Sequence, residues 1–158
     1  MRYGSKYRLL TQAENATMVR DLIAIIEEGE RGNVASMRKG LSDENPAIRY
    51  WAATWLGNRG KSDVGNALIE ATSDPVPAVR VAAALALSRL GQPEKGISII
   101  LETIEDENWL AGMYAIRALE WSGVRTPSAQ TAVKLAVKSP YEFTRRIANR
   151  LSGEFRRE

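Results

Sequence analysis

A chain of 158 residues that is 44% apolar and 26% charged is long enough for one folded unit and too ordinary in composition to be disordered or fibrous. It contains neither cysteine nor histidine, which excludes disulfides, thiolate or imidazole nucleophiles and the usual zinc sites. The net charge of +3 permits contact with a polyanion without demanding it, because the excess lies near the ends, at Arg2, Lys6 and Arg8 and at Arg145, Arg146, Arg150, Arg156 and Arg157.

In chain order, Met1 to Gln12 mixes Tyr3, Tyr7, Leu9 and Leu10 with basic residues and reads as a cap or the remnant of a linker, ahead of a folded region over 13–158. It lacks the apolar stretch of a signal peptide, and no run of about 18 apolar residues follows, so a soluble chain is expected. Helical spacing predicts a helix over Thr17 to Glu28, broken at Gly29 and Gly32, and a second over Val34 to Leu41. Pro46 opens the next helix and Gly60 stops it; Ser62 to Thr72 follows, then a helix from Pro77 to Gly91, then Pro93 to Glu105. A further pair covers Trp109 to Gly123 and Pro127 to Val137, and the last helix holds Phe143, Ile147, Ala148 and Leu151.

Self-comparison turns these elements into a repeat. Asp43 to Leu56 aligns with Asp74 to Leu87 at an offset of 31, placing Pro46 on Pro77, Arg49 on Arg80 and Gly60 on Gly91. At a further 32, Asp106 to Leu119 continues the pattern with Gly112 in the arginine position, and another 32 brings in the final helix. Within each first helix the apolar slots recur at i, i+4, i+5 and i+8, with small residues in the middle two, so neighbouring helices can approach closely. Two-helix units this short bury their stripes only by stacking. The expected fold is therefore all-α, a right-handed α-solenoid of about four and a half helix pairs.

The Asp43 and Arg49 pair and the Asp74 and Arg80 pair, each with proline at a helix start and a following Ala-Ala, resemble HEAT-like repeats of the short bacterial kind also seen in phycobilin lyases. In such repeats the resemblance implies a structural ladder for Asp43, Arg49, Asp74 and Arg80. The string Arg49-Tyr50-Trp51-Ala52-Ala53, then Arg80-Val-Ala-Ala, then Ala115-Ile-Arg-Ala-Leu resembles the C-terminal HEAT-like extension of bacterial arylsulfatase-type enzymes. That likeness implies an accessory region beside a parent catalytic domain, periplasmic or extracellular if it is a sulfatase tail and otherwise cytoplasmic. The sulfatase Cys/Ser-x-Pro-x-Arg nucleophile motif is absent.

The expected function is that of a non-catalytic scaffold, with no cofactor and no metal, binding a protein partner or parent domain. Tyr50, Trp51 and Trp55 are the candidate partner-binding residues, Trp55 first, since Ala86 and Ala118 fill its slot in the following units. Arg145, Arg146 and Arg150 on the last helix form a polar end cap or, as a minority reading, an anion contact. A nucleic-acid interface is the alternative, disfavoured because Glu27, Glu28, Glu70, Glu102, Glu105 and Asp106 interrupt the positive charge along the array. The carboxylate pairs at Glu27-Glu28 and Glu105-Asp106-Glu107 fall at helix ends, where charge is normally solvated.

Overall fold

Proline and side-chain oxygens set the helix starts. In the computed structural model, which describes residues 12–60, 62–105 and 108–155, nine α-helices, one 3-10 turn over Ser62–Val64 and no strand are present among the described residues. They are α1 (Gln12–Glu30), α2 (Val34–Gly40), α3 (Pro46–Arg59), α4 (Gly65–Ala71), α5 (Pro77–Arg89), α6 (Pro93–Ile104), α7 (Trp109–Ser122), α8 (Pro127–Ala136) and α9 (Glu142–Phe155). Pro46, Pro77, Pro93 and Pro127 occupy first turns, where the missing N–H costs nothing. Asn45 and Asn108 accept the Ala47 and Leu110 amides at 2.9 and 3.0 Å, and Thr126 accepts from Ala129 at 3.3 Å. After α5 and α7 the chain turns through left-handed Gly91 and Gly123, whereas Gly60 ends α3 in an extended conformation. The terminal segment from Met1 to Thr11, together with Asp106, Glu107, Arg156 and Arg157, lies outside the described residues, and α1 begins at Gln12, ahead of the expected Thr17.

The first helices stack on one another in the order α1, α3, α5, α7 and α9; α2 packs on α1 and α3, α4 on α5, α6 on α5 and α7, and α8 on α7 and α9. That is the expected α-solenoid of four and a half pairs. Its centre is α5, where Val79, Val81, Ala82, Ala83, Ala84, Ala86 and Leu87 are all buried. One side of α5 gives Ala83, Ala86 and Leu87 to a cluster with Ile48, Leu56, Val64 and Leu68; the other gives Val81 and Ala84 to a cluster with Ile97, Ile100, Ile116 and Leu119. Each large buried side chain contributes about 1.5–3 kcal/mol, so the two clusters account for most of the cohesion.

Small residues set the spacing. A Cβ placed on Gly57 of α3 would lie 2.7 Å from both Cα and Cβ of Ala86, and one on Gly96 of α6 would lie 2.3 Å from the Ala84 carbonyl oxygen. Gly153 of α9 meets nothing within 4 Å. Gly57→Ala should thus lower stability by about 1–3 kcal/mol, the overpacking outweighing the gain in helix propensity. Gly153→Ala should raise it by up to about 1 kcal/mol. Thermal melts of the two variants check the contrast.

Candidate functional site

The connections that lead into the first helices carry an arginine and aspartate ladder. Arg49 donates from Nε and Nη2 to the two carboxylate oxygens of Asp74 at 2.7 and 3.0 Å, joining the α3 unit to the α5 unit through a bidentate fork. Its Nη1 turns back to the carbonyls of Asp43 and Glu44 at 2.8 and 3.1 Å. Arg80 repeats the backward half, with Nη1 3.1 and 3.4 Å from the carbonyls of Asp74 and Pro75. The Asp43 and Asp74 carboxylates each accept the amide two residues on, from Asn45 and Val76, both at 2.8 Å, which tightens the turn before the helix. The Arg49 and Asp74 side chains are only 13% and 7% exposed. Burial pushes the Asp74 pKa up, but the Arg49 hydrogen bond, the Val76 amide and the charges of Arg49 and Arg80 outweigh it and hold it below the usual aspartate value. The same hydrogen bond to Asp74 raises the pKa of Arg49 against the effect of burial.

Arg145 belongs to this ladder. Its Nη1 donates to the carbonyls of Ser139 and Pro140 at 2.8 and 2.7 Å, six and five residues back, as in Arg49 and Arg80, and the Ser139 hydroxyl accepts the Tyr141 amide at 3.3 Å where the aspartates do so elsewhere. The final unit is thus spaced by 33 at its start, where Gly112 maps onto Arg145. Buried Thr144 takes the first apolar slot and Phe143 is turned to solvent. The i to i+6 spacing of Ser139 and Arg145 is the sequence signal for this register. Between α7 and α9 both halves of the fork have gone: Gly112 supplies no arginine and Ser139 no carboxylate. The three C-terminal arginines do not form one cluster, since Arg145 faces backbone carbonyls, Arg150 pairs with Glu120 of α7, and Arg146 is exposed.

The aromatics put forward from sequence pack against the first half of the stack. Tyr50 and Trp51 are half-buried and meet edge to face, with ring centroids 5.6 Å apart. The Trp55 ring lies over Gly29 of α1, where a Cβ would sit 2.3 Å from Cγ, and the Arg59 guanidinium lies 5.9 Å from the ring centroid. Its indole N–H is buried without a partner among the described residues. The missing side chain at Gly29 makes the room that the alanines of later units do not need.

The solvent face of α7 is different. Trp109, Leu110, Tyr114 and Trp121 are exposed there, Trp121 by 60%, and on the edge of α9 Phe143 is 57% exposed. The Arg117 guanidinium lies 5.8 Å from the Trp121 ring centroid and bonds Glu120 at 3.1 Å, and Glu120 also accepts from Arg150 of α9. Sequence reading missed this face, because large residues at helical spacing look like core. The signal that marks it is arithmetic: α7 already has a complete buried stripe in Ala111, Ala115, Ile116 and Leu119, so its remaining aromatics have no core to enter. Among the described residues no group of acidic side chains is arranged to hold a metal ion, and no helix is long and apolar enough to cross a membrane.

Comparison with known proteins agrees with this architecture. The family model described as HEAT repeats matches residues 34–96, from α2 into α6. A chain from the structure of the complex of CpcE and CpcF of phycocyanin lyase from Nostoc sp. PCC7120 superposes with a TM-score of 0.62 at 23% identity, covering 88% of this chain and 89% of that one. At such identity the likeness is one of fold. No curated protein matches the chain. The lyase match corrects the expectation of a non-catalytic module: this stack is also the fold of a chain in a lyase complex, so repeat architecture does not place a protein outside enzymes. The sulfatase resemblance receives no support from these matches.

Because the folded-state pKa of Asp74 is depressed, the stabilisation from its ion pair is complete above the unfolded-state value of about 3.9 and is lost as pH falls below it. Asp74→Asn should cost about 2 kcal/mol at neutral pH and flatten the loss of stability below about pH 4. Urea unfolding measured across that range reads both effects. Trp55→Ala should cost about 2–4 kcal/mol by emptying the space over Gly29. Trp55→Phe, which keeps a six-membered aromatic ring over Gly29 and removes the orphaned N–H, should cost less than half as much; a negligible loss from both variants would place the ring outside the packed stack.

Proposed function

We propose that this chain is a repeat scaffold that binds a second protein chain through the outer face of α7 and the adjoining edge of α9. The observation that carries the proposal is the concentration of exposed large apolar side chains on that face. Trp109, Leu110, Tyr114, Trp121 and Phe143 stand there, against Val19, Ile23 and Ile69 elsewhere among the described residues. Aromatic and arginine side chains held in place by neighbours are the usual anchors of protein interfaces, and Arg117 and Arg150, both tied to Glu120, supply the second kind. Contiguous apolar surface of this sort is otherwise a liability on a soluble domain. The lyase chain of similar fold was solved as part of a complex of two proteins, which supports a partner for this stack as well. The proposal covers a scaffold that works inside an enzyme assembly as readily as one that works beside it.

Leu110→Glu combined with Trp121→Glu should leave the melting behaviour within about 0.5 kcal/mol of wild type, as expected for surface positions. In cells that make the protein, a tagged copy of this variant should retain at least about tenfold less of the protein that co-purifies with the tagged wild-type chain. Equal recovery by the two would sink the proposal.

A further inference from the structure

We propose that the open end of the stack, beside α1 and α2, is a docking site for the leading segment from Met1 to Thr11, and that an arginine of this segment forks onto Asp43 as Arg49 forks onto Asp74. The site lies at the opposite end of the molecule from the α7 and α9 face and does not depend on it. The first observation is a surface cavity of about 650 Å³ lined by both helices and the turn that follows them. Five of its lining residues, Ser36, Lys39, Gly40, Ser42 and Asp43, are followed 31 positions later by Ala67, Glu70, Ala71, Ser73 and Asp74. Those five line the groove between their unit and the preceding one, whose Arg38, Leu41 and Ser42 form the other wall. The end cavity is therefore the counterpart of a groove between units, and among the described residues no unit precedes α1 to cover it.

The second observation is what the repeated position holds. The Asp74 carboxylate takes both donors of the Arg49 fork, at 2.7 and 3.0 Å. The Asp43 carboxylate, in the same place one unit earlier, accepts the Asn45 amide at 2.8 Å and no side-chain donor among the described residues. Counting 31 back from Arg49, as Arg49 lies 31 back from Arg80, gives Met18, so the first unit brings no guanidinium to its rung. Arg49 cannot serve Asp43 as well, since Nε and Nη2 are engaged by Asp74 and Nη1 by two carbonyls. The third observation is charge and reach. Asp21, Glu28 and Glu44 join Asp43 around the cavity against Lys39, and Glu28 is already held by Arg31 and Asn33. Met1 to Thr11 carries Arg2, Lys6 and Arg8 and no acidic residue, with Tyr3 and Tyr7 to meet the apolar wall of Ala24, Ile25 and Ile48. The segment joins the fold at Gln12, and Asp21 stands about 13 Å further along α1. Arg2 precedes Gln12 by ten residues, which span up to about 33 Å, so the segment is long enough to turn back to the cavity.

Trypsin cleaves after arginine and lysine, so docking is read as slow loss of the segment from the full chain, followed by mass spectrometry while the helices stay folded. Asp43→Asn keeps an oxygen for the Asn45 amide and removes the anion. It should speed that loss at least about fivefold, with helix content by circular dichroism unchanged. Glu102→Gln, at an exposed position of α6, should leave the rate as it is. Arg2→Lys combined with Arg8→Lys keeps the charge and removes the fork, and in that background Asp43→Asn should change the rate by less than about twofold. Equal rates for wild type and Asp43→Asn overturn the inference, as does an effect of Asp43→Asn that is undiminished in the lysine background. If the rates are equal while Asp43→Asn abolishes capture of a separate protein by the tagged chain, the cavity takes an arginine of that protein and the leading segment falls.

Discussion

Close approach between successive first helices is the constraint on which the rest of this structure depends. At the crossing of α3 and α5 there is room for a hydrogen atom at Gly57 and no more, with Ala86 opposite; at the crossing of α5 and α6, Gly96 sits against the Ala84 backbone. These contacts bring Leu56, Leu68 and Leu87 together on one side and Ile97, Ile116 and Leu119 on the other, so that two clusters share α5 as a common wall. The glycines answer different partners: at the α1 crossing Gly29 leaves room for the Trp55 ring, and at the next crossing Gly57 lets the Ala86 backbone approach.

Packing sets how far apart the units lie, and the ladder sets how they are aligned. Arg49 reads its own turn through two carbonyls and the next unit through a carboxylate, so a single side chain defines both register and neighbour. Removing one partner of such a buried pair would leave an uncompensated charge, whereas removing both leaves none. The α7 to α9 step shows the second outcome, with Gly112 and Ser139 replacing arginine and aspartate together. Cohesion there passes instead to Ile147, Ala148 and Leu151 and to the exposed pair of Arg150 with Glu120, which contributes little by itself.

That same end of the molecule carries most of the exposed aromatics and one of the two concentrations of positive charge. A unit whose buried stripe is already complete leaves its outward face free to be shaped by other demands. On α7 that face is aromatic, with Arg117 beside Trp121, and on α9 it is largely polar. The match to a chain of the CpcE and CpcF complex shows that this stack occurs within a lyase, so its role follows from its faces rather than from its fold.

Composition and periodicity alone determined the all-α class, the two-helix unit, the stacking order and the aspartate and arginine spacing. Each of these is written in local pattern, in residues three, four or six apart, which the helix geometry converts directly into shared faces and turns. Tertiary structure decided what depends on a neighbour from another unit. Trp55 is held in the stack because Gly29, on a different helix, leaves space beneath it; Arg145 joins the ladder because the last turn is spaced by 33 at its start; Trp121 and Phe143 face solvent because other residues already fill the core beside them. Burial belongs to the pair of surfaces that meet and not to either helix, and one strand of sequence carries only half of that information.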